Sequence, residues 1–483
     1  MVHQRAGRGL RFALLAATAL SATPAQAQEA SVDADVSGRL ARLERLVEGL
    51  ITRLDAEAGQ TQQQTRTMAE IREQTALIQA EQQAMRAEAD ATAEATRTLT
   101  TRQAEMSDKL IDFAIAPGEG FRMGKTRVTY GGYVKLDAIS QRTSGGQLQG
   151  NSILRDFLFP SSIPVGGSPS GFDTDFSARQ TRFLFKTETD VGTGHKLSGL
   201  IELDFNVTEG GNERVTNSFT PRIRHALINY DNWTFGQGWS TFQNVGALPD
   251  SLDFIGVTPG TVFDRQPLIR YTKGGLQIAI EQPETVVTAH SGAMVTPGDD
   301  QIPDIVGRYN WSGDWGHFTA AAIVRQLHVS TDDLMGVDDA AWGYGLSLSG
   351  KLKVGERDDL RFMATAGDGL GRYIGVNIVN DAAIKLDGTL DPIFTWSGFA
   401  AYRHVWSEKL RSNLAGSYFK ADNPVRLTTN QVTDESWNAF ANLIWTPVGP
   451  LNVGVELMYA ARTLEDGRSG NLQRVQFSTQ YNF

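Results

Sequence analysis

The chain has 483 residues, a formal charge of −10 and no cysteine. The lack of cysteine excludes disulfide frameworks, zinc fingers, iron–sulfur centres and cysteine nucleophiles, and the seven histidines include no pair at metal-ligand spacing. No apolar run approaches the roughly 18 residues of a transmembrane helix, which excludes a polytopic helical membrane protein. The acidic charge argues against nucleic acid as a partner.

The N-terminus has the three parts of a secretory signal in order. A basic segment with three arginines precedes a short apolar segment over 12–20, and Ala25-Gln26-Ala27 matches a small-residue cleavage site. This order predicts a signal peptide over 1–27 and an exported mature chain that begins at Gln28. A soluble N-terminal helix is the alternative.

Residues 28–116 carry a heptad pattern. Alternating steps of four and three residues from Val36 to Phe113 fall on 23 positions, of which 15 are apolar. An unbroken 3.5-residue repeat keeps one face of a helix toward a partner helix, so it predicts a coiled coil that oligomerises the chain. The alternative is a disordered or single-helix linker, which the threonine-rich stretch 89–104 favours.

After Ala116-Pro117-Gly118 the apolar period changes from helical to two. We predict sixteen strands, at 126–142, 174–189, 195–206, 222–230, 232–241, 265–272, 275–283, 303–310, 315–326, 341–352, 358–366, 394–405, 409–420, 435–446, 450–461 and 471–483. Seven short connections alternate with eight long ones, as in an antiparallel transmembrane barrel with short periplasmic turns and long external loops. The predicted fold is therefore an all-β transmembrane antiparallel β-barrel of about sixteen strands over 117–483, preceded by the N-terminal α-helical coiled coil.

The strand ends support a membrane-facing exterior. Aromatic residues cluster there, as in the interfacial girdles of membrane barrels. The last strand alternates up to Phe483, and a terminal aromatic residue resembles the signal that the outer-membrane barrel-assembly machinery reads. We therefore expect an outer-membrane location, with lipid and lipopolysaccharide around the barrel and the coiled coil in the periplasm. A soluble sandwich or propeller is the alternative.

The strand phase places more basic than acidic residues on the inward, polar side. The expected pore-lining and solute-binding residues are Lys135, Arg182, Lys186, Arg270, Arg308, Arg325, Arg361, Arg411 and Arg474. The expected inward acids are Asp137, Glu188, Glu202, Asp204 and Glu456. Basic rings attract anions, and guanidinium offers a two-pronged fork to carboxylate. Each arginine could instead be a wall residue paired with a carboxylate. Arg222 and Arg224 lie where the strand phase is ambiguous, so they are not assigned to either face.

The connection 243–264 after the fifth strand is too apolar for an exposed loop. Such a segment requires burial, so we expect it to fold into the barrel and narrow the pore. The expected constriction residues are Leu248, Pro249, Asp250, Asp253 and Phe254. The two aspartates would face the constriction and oppose a simple anion preference. A subunit contact is the alternative role for this loop.

Four segments carry a family resemblance: Gly131-Gly-Tyr-Val-Lys-Leu-Asp137, Arg179-Gln-Thr-Arg182, Leu248-Pro-Asp-Ser-Leu-Asp-Phe254 and Arg265-Gln-Pro-Leu-Ile-Arg-Tyr-Thr272. With the signal, the coiled coil and the barrel pattern, the chain resembles the DcaP-like porins of Gram-negative outer membranes. The resemblance implies a trimer of sixteen-stranded barrels, a periplasmic N-terminal coiled coil and diffusive uptake of small organic anions such as dicarboxylates. It also implies that Arg182 and Arg270 lie in the lumen and that the Pro249 loop forms the constriction.

The leading hypothesis is thus a passive, homotrimeric outer-membrane porin for small anionic solutes, without catalytic residues, metal or cofactor. A barrel enzyme would need a serine–histidine or aspartate–histidine constellation at the rim, and the sequence has no G-x-S-x-G motif. A structural barrel whose coiled coil reaches toward peptidoglycan is the other alternative.

Overall fold

The computed structural model describes residues 120–483, apart from 193, 208–215, 291 and 332–335, together with seven single residues between 38 and 79. These seven residues are helical. The rest of the expected signal peptide and coiled coil lies outside the described residues. Among the helices that are described, none has the length and apolar character to cross a membrane.

Sixteen antiparallel strands form one closed sheet. The first eight are β1 (Thr126–Thr143), β2 (Asp173–Ser177 and Arg182–Asp190, both paired with β1), β3 (Lys196–Asp204), β4 (Arg222–Tyr230), β5 (Trp233–Trp239), β6 (Arg265–Lys273), β7 (Leu276–Glu281) and β8 (Asp304–Gly313). The others are β9 (Gly316–Thr331), β10 (Val337–Val354), β11 (Asp358–Asp368), β12 (Phe394–Ser407), β13 (Leu410–Asp422), β14 (Thr433–Val448), β15 (Leu451–Leu464) and β16 (Ser469–Asn482). Each strand pairs with the next, and β16 pairs with β1 from Tyr133↔Asn482 to Thr143↔Leu472, which closes the barrel.

Period-two alternation decides which side chains face outward. In β10, Leu346 and Leu348 are exposed, whereas Ser347 and Ser349 are buried. This polar-inside, apolar-outside arrangement is the reverse of a soluble barrel and is typical of a barrel surrounded by lipid. The predicted sixteen-stranded antiparallel barrel is therefore confirmed.

Long connections fill much of the interior. The segments 144–172, 240–264 and 369–393 supply buried apolar residues, among them Leu158, Val262 and Tyr373, that pack on the inner wall. Short helical turns shape these and other connections: Ile153–Arg155, Pro160–Ser162, Val245–Ala247, Thr258–Gly260, Gly371–Tyr373 and Val425–Thr428.

Several short strands lie outside the sixteen. A four-stranded sheet joins Val287–Thr288, Met294–Val295, Ala382–Ile384 and Leu390–Pro392. Its residues pack on the end of β9 and the start of β10, burying Leu327 and Val329. At this place β9 and β10 are longer than the predicted ranges 315–326 and 341–352. A separate hairpin strand, Phe121–Met123, precedes β1.

Candidate functional site

Residues 240–264, which we call the inner loop, connect β5 to β6 and cross the barrel interior. At one end, Asn244 Nδ2 donates to Thr319 Oγ1 on β9 (3.1 Å) and to Ser349 Oγ on β10 (3.0 Å). At its tip, the Leu252 carbonyl accepts from Lys135 Nζ on β1 (2.6 Å) and from Gln476 Nε2 on β16 (2.8 Å). The loop is therefore fastened to two separate parts of the wall.

Two buried carboxylates fix the tip of the inner loop. Glu456 on β15 accepts hydrogen bonds from Ser251 Oγ (2.9 Å) and the Leu252 N–H (2.8 Å). Asp253 is paired with Arg474 on β16 (2.7 Å), and both side chains are almost fully enclosed. Asp253 was expected to face the constriction; the structure instead buries it because its carboxylate closes an ion pair with the wall.

Asp250 lies on the opposite side of the tip, in a group of charges that we call the Asp250 cluster. Its carboxylate is 3.3 Å from Arg361, 3.7 Å from Arg403 and 3.2 Å from Arg411. Asp359 lies 2.7 Å from Arg361 and 2.6 Å from Arg403. Among the described residues, the cluster thus holds three arginines and two carboxylates, and the Asp250 side chain is 21% exposed.

Asp250 remains ionised in these surroundings. Burial alone would raise the pKa of its carboxyl group, but the charges of Arg361, Arg411 and Arg403 outweigh that effect and hold the pKa below its ordinary value. Its negative charge is therefore present throughout the neutral range, where it offsets part of the positive charge of the three arginines.

A second group, the arginine cluster, lies on the wall formed by β2 to β6. It contains Arg182, Arg222, Arg224 and Arg265 with the carboxylates of Glu202 and Asp204. Glu202 is 2.9 Å from Arg182 and 2.8 Å from Arg224. Asp204 is 2.7 Å from both Arg222 and Arg224. Two carboxylates thus receive three guanidinium groups, while Arg265 makes no ion pair with a described residue.

A β-bulge explains why the sequence could not assign Arg224. Glu202 pairs with His225, but the next residue, Leu203, pairs with Ile223, so Arg224 is an additional residue in β4. Both Arg224 and His225 are consequently buried, at 1% exposure each. Period-two phasing fails at such a position because the bulge interrupts the alternation.

A cavity of about 210 Å³ separates the inner loop from the walls that carry the two clusters. Arg182, Arg224 and Trp239 line it on one side and Arg411 on the other. Phe254 of the inner loop also contributes to the lining. The cavity therefore combines arginines from opposite walls with an aromatic surface.

The connection 369–393 folds inward and pairs with the inner loop. The Phe263 N–H donates to the Tyr373 carbonyl (2.9 Å), and the Gly375 N–H donates to the Thr261 carbonyl (2.9 Å). These bonds surround an antiparallel bridge between Val262 and Ile374. The connection 369–393 therefore occupies the interior together with the inner loop.

Buried charges hold this second connection against the wall. Arg325 on β9 is fully enclosed, 2.9 Å from Asp381 of the connection and 3.4 Å from Asp304 on β8. Arg372 is 3.3 Å from Asp264 of the inner loop, and the Tyr373 hydroxyl donates to Asp304 (2.7 Å). Sequence phasing placed Arg325 among the lumen residues; the structure covers it with the inward-folded connection.

The remaining basic residues of the predicted set either donate hydrogen bonds to the inner loop or pair with a neighbouring acid. Arg270 and Arg308 both donate to the inner loop: Arg270 to the Thr241 hydroxyl (2.7 Å) and Arg308 to the Gln243 carbonyl (2.7 Å). Lys135 is 3.1 Å from Asp137, and Lys186 is 2.6 Å from Glu188. The Leu248 carbonyl accepts a hydrogen bond from Arg361, and Pro249 is buried. Within the described part of the chain, no group of histidines and acids could hold a metal ion.

Comparisons with known proteins agree with this architecture. The family model of the DcaP outer membrane protein matches residues 124–483. The crystal structure of the outer membrane channel DcaP of Acinetobacter baumannii is 23% identical, with a TM-score of 0.65, and covers 76% of this chain and 100% of that chain.

More distant solved structures include the outer-membrane expressed OmpT of Vibrio cholerae, at 10% identity, TM-score 0.46 and coverage of 76% and 100%. An anion-selective porin from Comamonas acidovorans has 12% identity, TM-score 0.46 and coverage of 74% and 100%. A search of curated proteins gives no match. The sixteen-stranded barrel, together with a family match over three quarters of the chain, shows that the protein is an outer-membrane porin barrel and belongs to the DcaP outer membrane protein family.

Proposed function

We propose that the protein is a homotrimeric porin through which small organic anions, such as dicarboxylates, diffuse passively across the outer membrane. The observation that supports this most directly is the excess of arginine around the cavity. Among the described residues, the arginine cluster has four arginines and two carboxylates, and the Asp250 cluster has three and two. Positive charges on both sides of a narrow passage lower the energy of an anion within it.

The basic residues divide into two proposed roles. Arg182, Arg361 and Arg411, which border the cavity or the Asp250 cluster, would contribute to the field that a permeating anion meets. Arg325 and Arg474 are enclosed and paired with acids, so we assign them to holding the connections in place. Lys135, Lys186, Arg270 and Arg308 would act mainly by fixing the walls and the inner loop.

The N-terminal coiled coil would lie in the periplasm and the barrel in the outer membrane. The heptad pattern over 36–113 would hold three chains together in the periplasm after removal of the signal peptide. Lipid and lipopolysaccharide would surround the apolar exterior. Phe483, whose backbone exchanges hydrogen bonds with Gly132 (3.2 and 3.1 Å), would first present its ring to the assembly machinery and then complete the closure of β16 on β1.

The test is the zero-current potential of the purified full-length protein in a planar bilayer under a salt gradient. We expect conductance in steps of three and a potential that indicates anion preference. Arg411→Gln should reduce that preference because it removes a positive charge beside Asp250. Arg142→Gln is the matched control: Arg142 is exposed, and its guanidinium donates to Gln473 (2.9 Å) away from both clusters. Cation preference of the unchanged protein would refute the proposed selectivity, and single steps would refute the trimer.

Asp250→Asn should have the opposite effect to Arg411→Gln. The substitution leaves Arg361, Arg403 and Arg411 with one carboxylate fewer, so the anion preference measured under the same gradient should increase. Because the pKa of Asp250 lies below its ordinary value, the effect should persist as the pH is lowered from 7 to 5. Asp387→Asn, at an exposed loop position, is the charge-matched control and should leave the potential unchanged. An equal shift in both variants would contradict a local role for Asp250.

A further inference from the structure

We propose that Arg265 and Trp239, supported by the arginine cluster, form a saturable binding site for one carboxylate group of the permeating solute. This inference rests on the proposed function and specifies where along the passage the solute pauses. Neither residue is in the set of expected pore-lining residues. Trp239 ends β5 and Arg265 begins β6, so both lie directly beside the inner loop. The two positions pair across these strands.

Two polar donors at this place have no acceptor among the described residues. The Arg265 Nη1 and Trp239 Nε1 atoms are both buried and make no hydrogen bond there. Trp239 is 7% exposed and lines the cavity. A buried donor without an acceptor is destabilising, and an incoming oxygen atom that accepts its hydrogen bond would remove that cost. A carboxylate brings two such oxygens and a negative charge.

The charges around Arg265 favour an anion over a neutral acceptor. Glu202 and Asp204 are already engaged by Arg182, Arg222 and Arg224. The adjacent acid, Asp264, lies 3.3 Å from Arg372, and His225, which lies 3.6 Å from Glu202, adds no negative charge. Arg265 therefore has no carboxylate partner among the described residues, and its positive charge is available to a solute.

The aromatic surroundings favour an organic anion over an inorganic one. The Arg265 guanidinium stacks on Trp239, 4.8 Å from the ring centre, and lies 6.0 Å from the Phe263 ring. Phe263 and Trp239 are in edge contact at 4.8 Å. These rings offer apolar surface beside the charge, and the adjoining cavity of about 210 Å³ suits a solute smaller than a typical drug. The site should therefore prefer a small organic carboxylate to sulfate.

The experiment measures chloride current through single trimers as succinate is added, with sulfate of equal charge and ionic strength in a parallel series. We expect succinate to reduce the current with a half-saturating concentration well below that of sulfate. Arg265→Gln should raise the half-saturating concentration of succinate about tenfold or more, because a charge-assisted hydrogen bond is lost. Trp239→Phe keeps an aromatic ring but removes the indole N–H donor, so it should raise the half-saturating concentration of succinate several-fold without changing the charge of the site.

Two controls separate this site from the general field. Arg411→Gln removes one positive charge on the opposite side of the same cavity, away from Arg265 and Trp239, so it should lower anion preference and leave the half-saturating concentration of succinate within about twofold. Arg142→Gln should change neither quantity. Heat-dependent mobility in detergent gels verifies that each variant is a folded barrel.

Each outcome is decisive. Saturation in the unchanged protein that persists in both Arg265→Gln and Trp239→Phe would overturn the site, as would equal binding of sulfate. Anion preference without any saturation would also overturn it while leaving the proposed function intact. Cation preference would instead refute the proposed function itself.

Discussion

Arg325→Met is expected to detach the connection 369–393 from the wall and to increase the conductance of the channel. Arg325 is the buried partner of Asp381 (2.9 Å) and Asp304 (3.4 Å), and its removal leaves two enclosed carboxylates without that charge. Breaking a buried ion pair from one side costs about 3–5 kcal/mol. The connection should loosen before the barrel does, because Asp381 belongs to the connection, whereas Asp304 on β8 still accepts a hydrogen bond from the Tyr373 hydroxyl (2.7 Å) and lies in the continuous ladder of strands.

Single-channel conductance and limited trypsin digestion measure this effect. The connection contains Arg372 and Lys385, which should become cleavable when it leaves the wall. The double variant Arg325→Met/Asp381→Asn removes charge from both sides, so it should restore part of the original conductance and protease resistance. Unchanged conductance and unchanged digestion in Arg325→Met would show that the backbone pairing with the inner loop holds the connection by itself.

Asp253→Ala should release the tip of the inner loop, the second large effect. Its carboxylate accepts from Arg474 (2.7 Å), from the Leu158 N–H (2.8 Å) and from the N–H groups of Ile255 (3.0 Å) and Gly256 (2.9 Å). Alanine leaves the buried Arg474 without this carboxylate and removes acceptors that hold the turn, again at about 3–5 kcal/mol. We expect larger and noisier single-channel currents.

Asp253→Asn is the comparison for this variant. Asparagine keeps an oxygen for the turn but removes the charge that faces Arg474, so its currents should lie between those of the original protein and Asp253→Ala. Identical currents in all three proteins would contradict the assignment of Asp253 to anchoring. A gain in anion preference equal to that of Asp250→Asn would show that Asp253 meets the solute after all.

The barrel could be predicted from the sequence because its two faces differ so strongly in polarity. In β16, Val475 and Phe477 are exposed to the outside while Arg474 and Gln476 are buried. A period of two then assigns every residue of a regular strand to one face, and the alternation of short and long connections gives the direction of each strand. Lipid outside and polar groups inside leave few alternative arrangements of such a pattern.

The partners inside the barrel could not be predicted in the same way. Strand phase places Arg474 in the interior and the apolar content of the inner loop places Asp253 there, but the pairing of these residues depends on how far the loop reaches across the barrel. Arg224 was unassigned because the bulge in β4 is invisible to a period of two. Period and composition do not fix distances between segments that are far apart in sequence.

The connection 369–393 is different, because the sequence did contain a signal for it. It carries apolar residues such as Ile374, Ile378 and Val379 at a density like that of the inner loop, and all three are buried. The burial argument that placed the inner loop inside the barrel applies equally here. A consistent use of that argument would have predicted that this connection also folds inward.

The backbone bridge between Val262 and Ile374 has an evolutionary consequence. Main-chain hydrogen bonds do not depend on side-chain identity, so the bridge itself survives any substitution of Val262 and Ile374 that still fills their buried positions. The lengths of the two connections cannot change independently, because a deletion in either one would shift its carbonyl and N–H groups out of reach. Related barrels should therefore gain or lose residues in both segments together, and transplanting either segment alone between relatives of different loop length should fail where transplanting the pair succeeds.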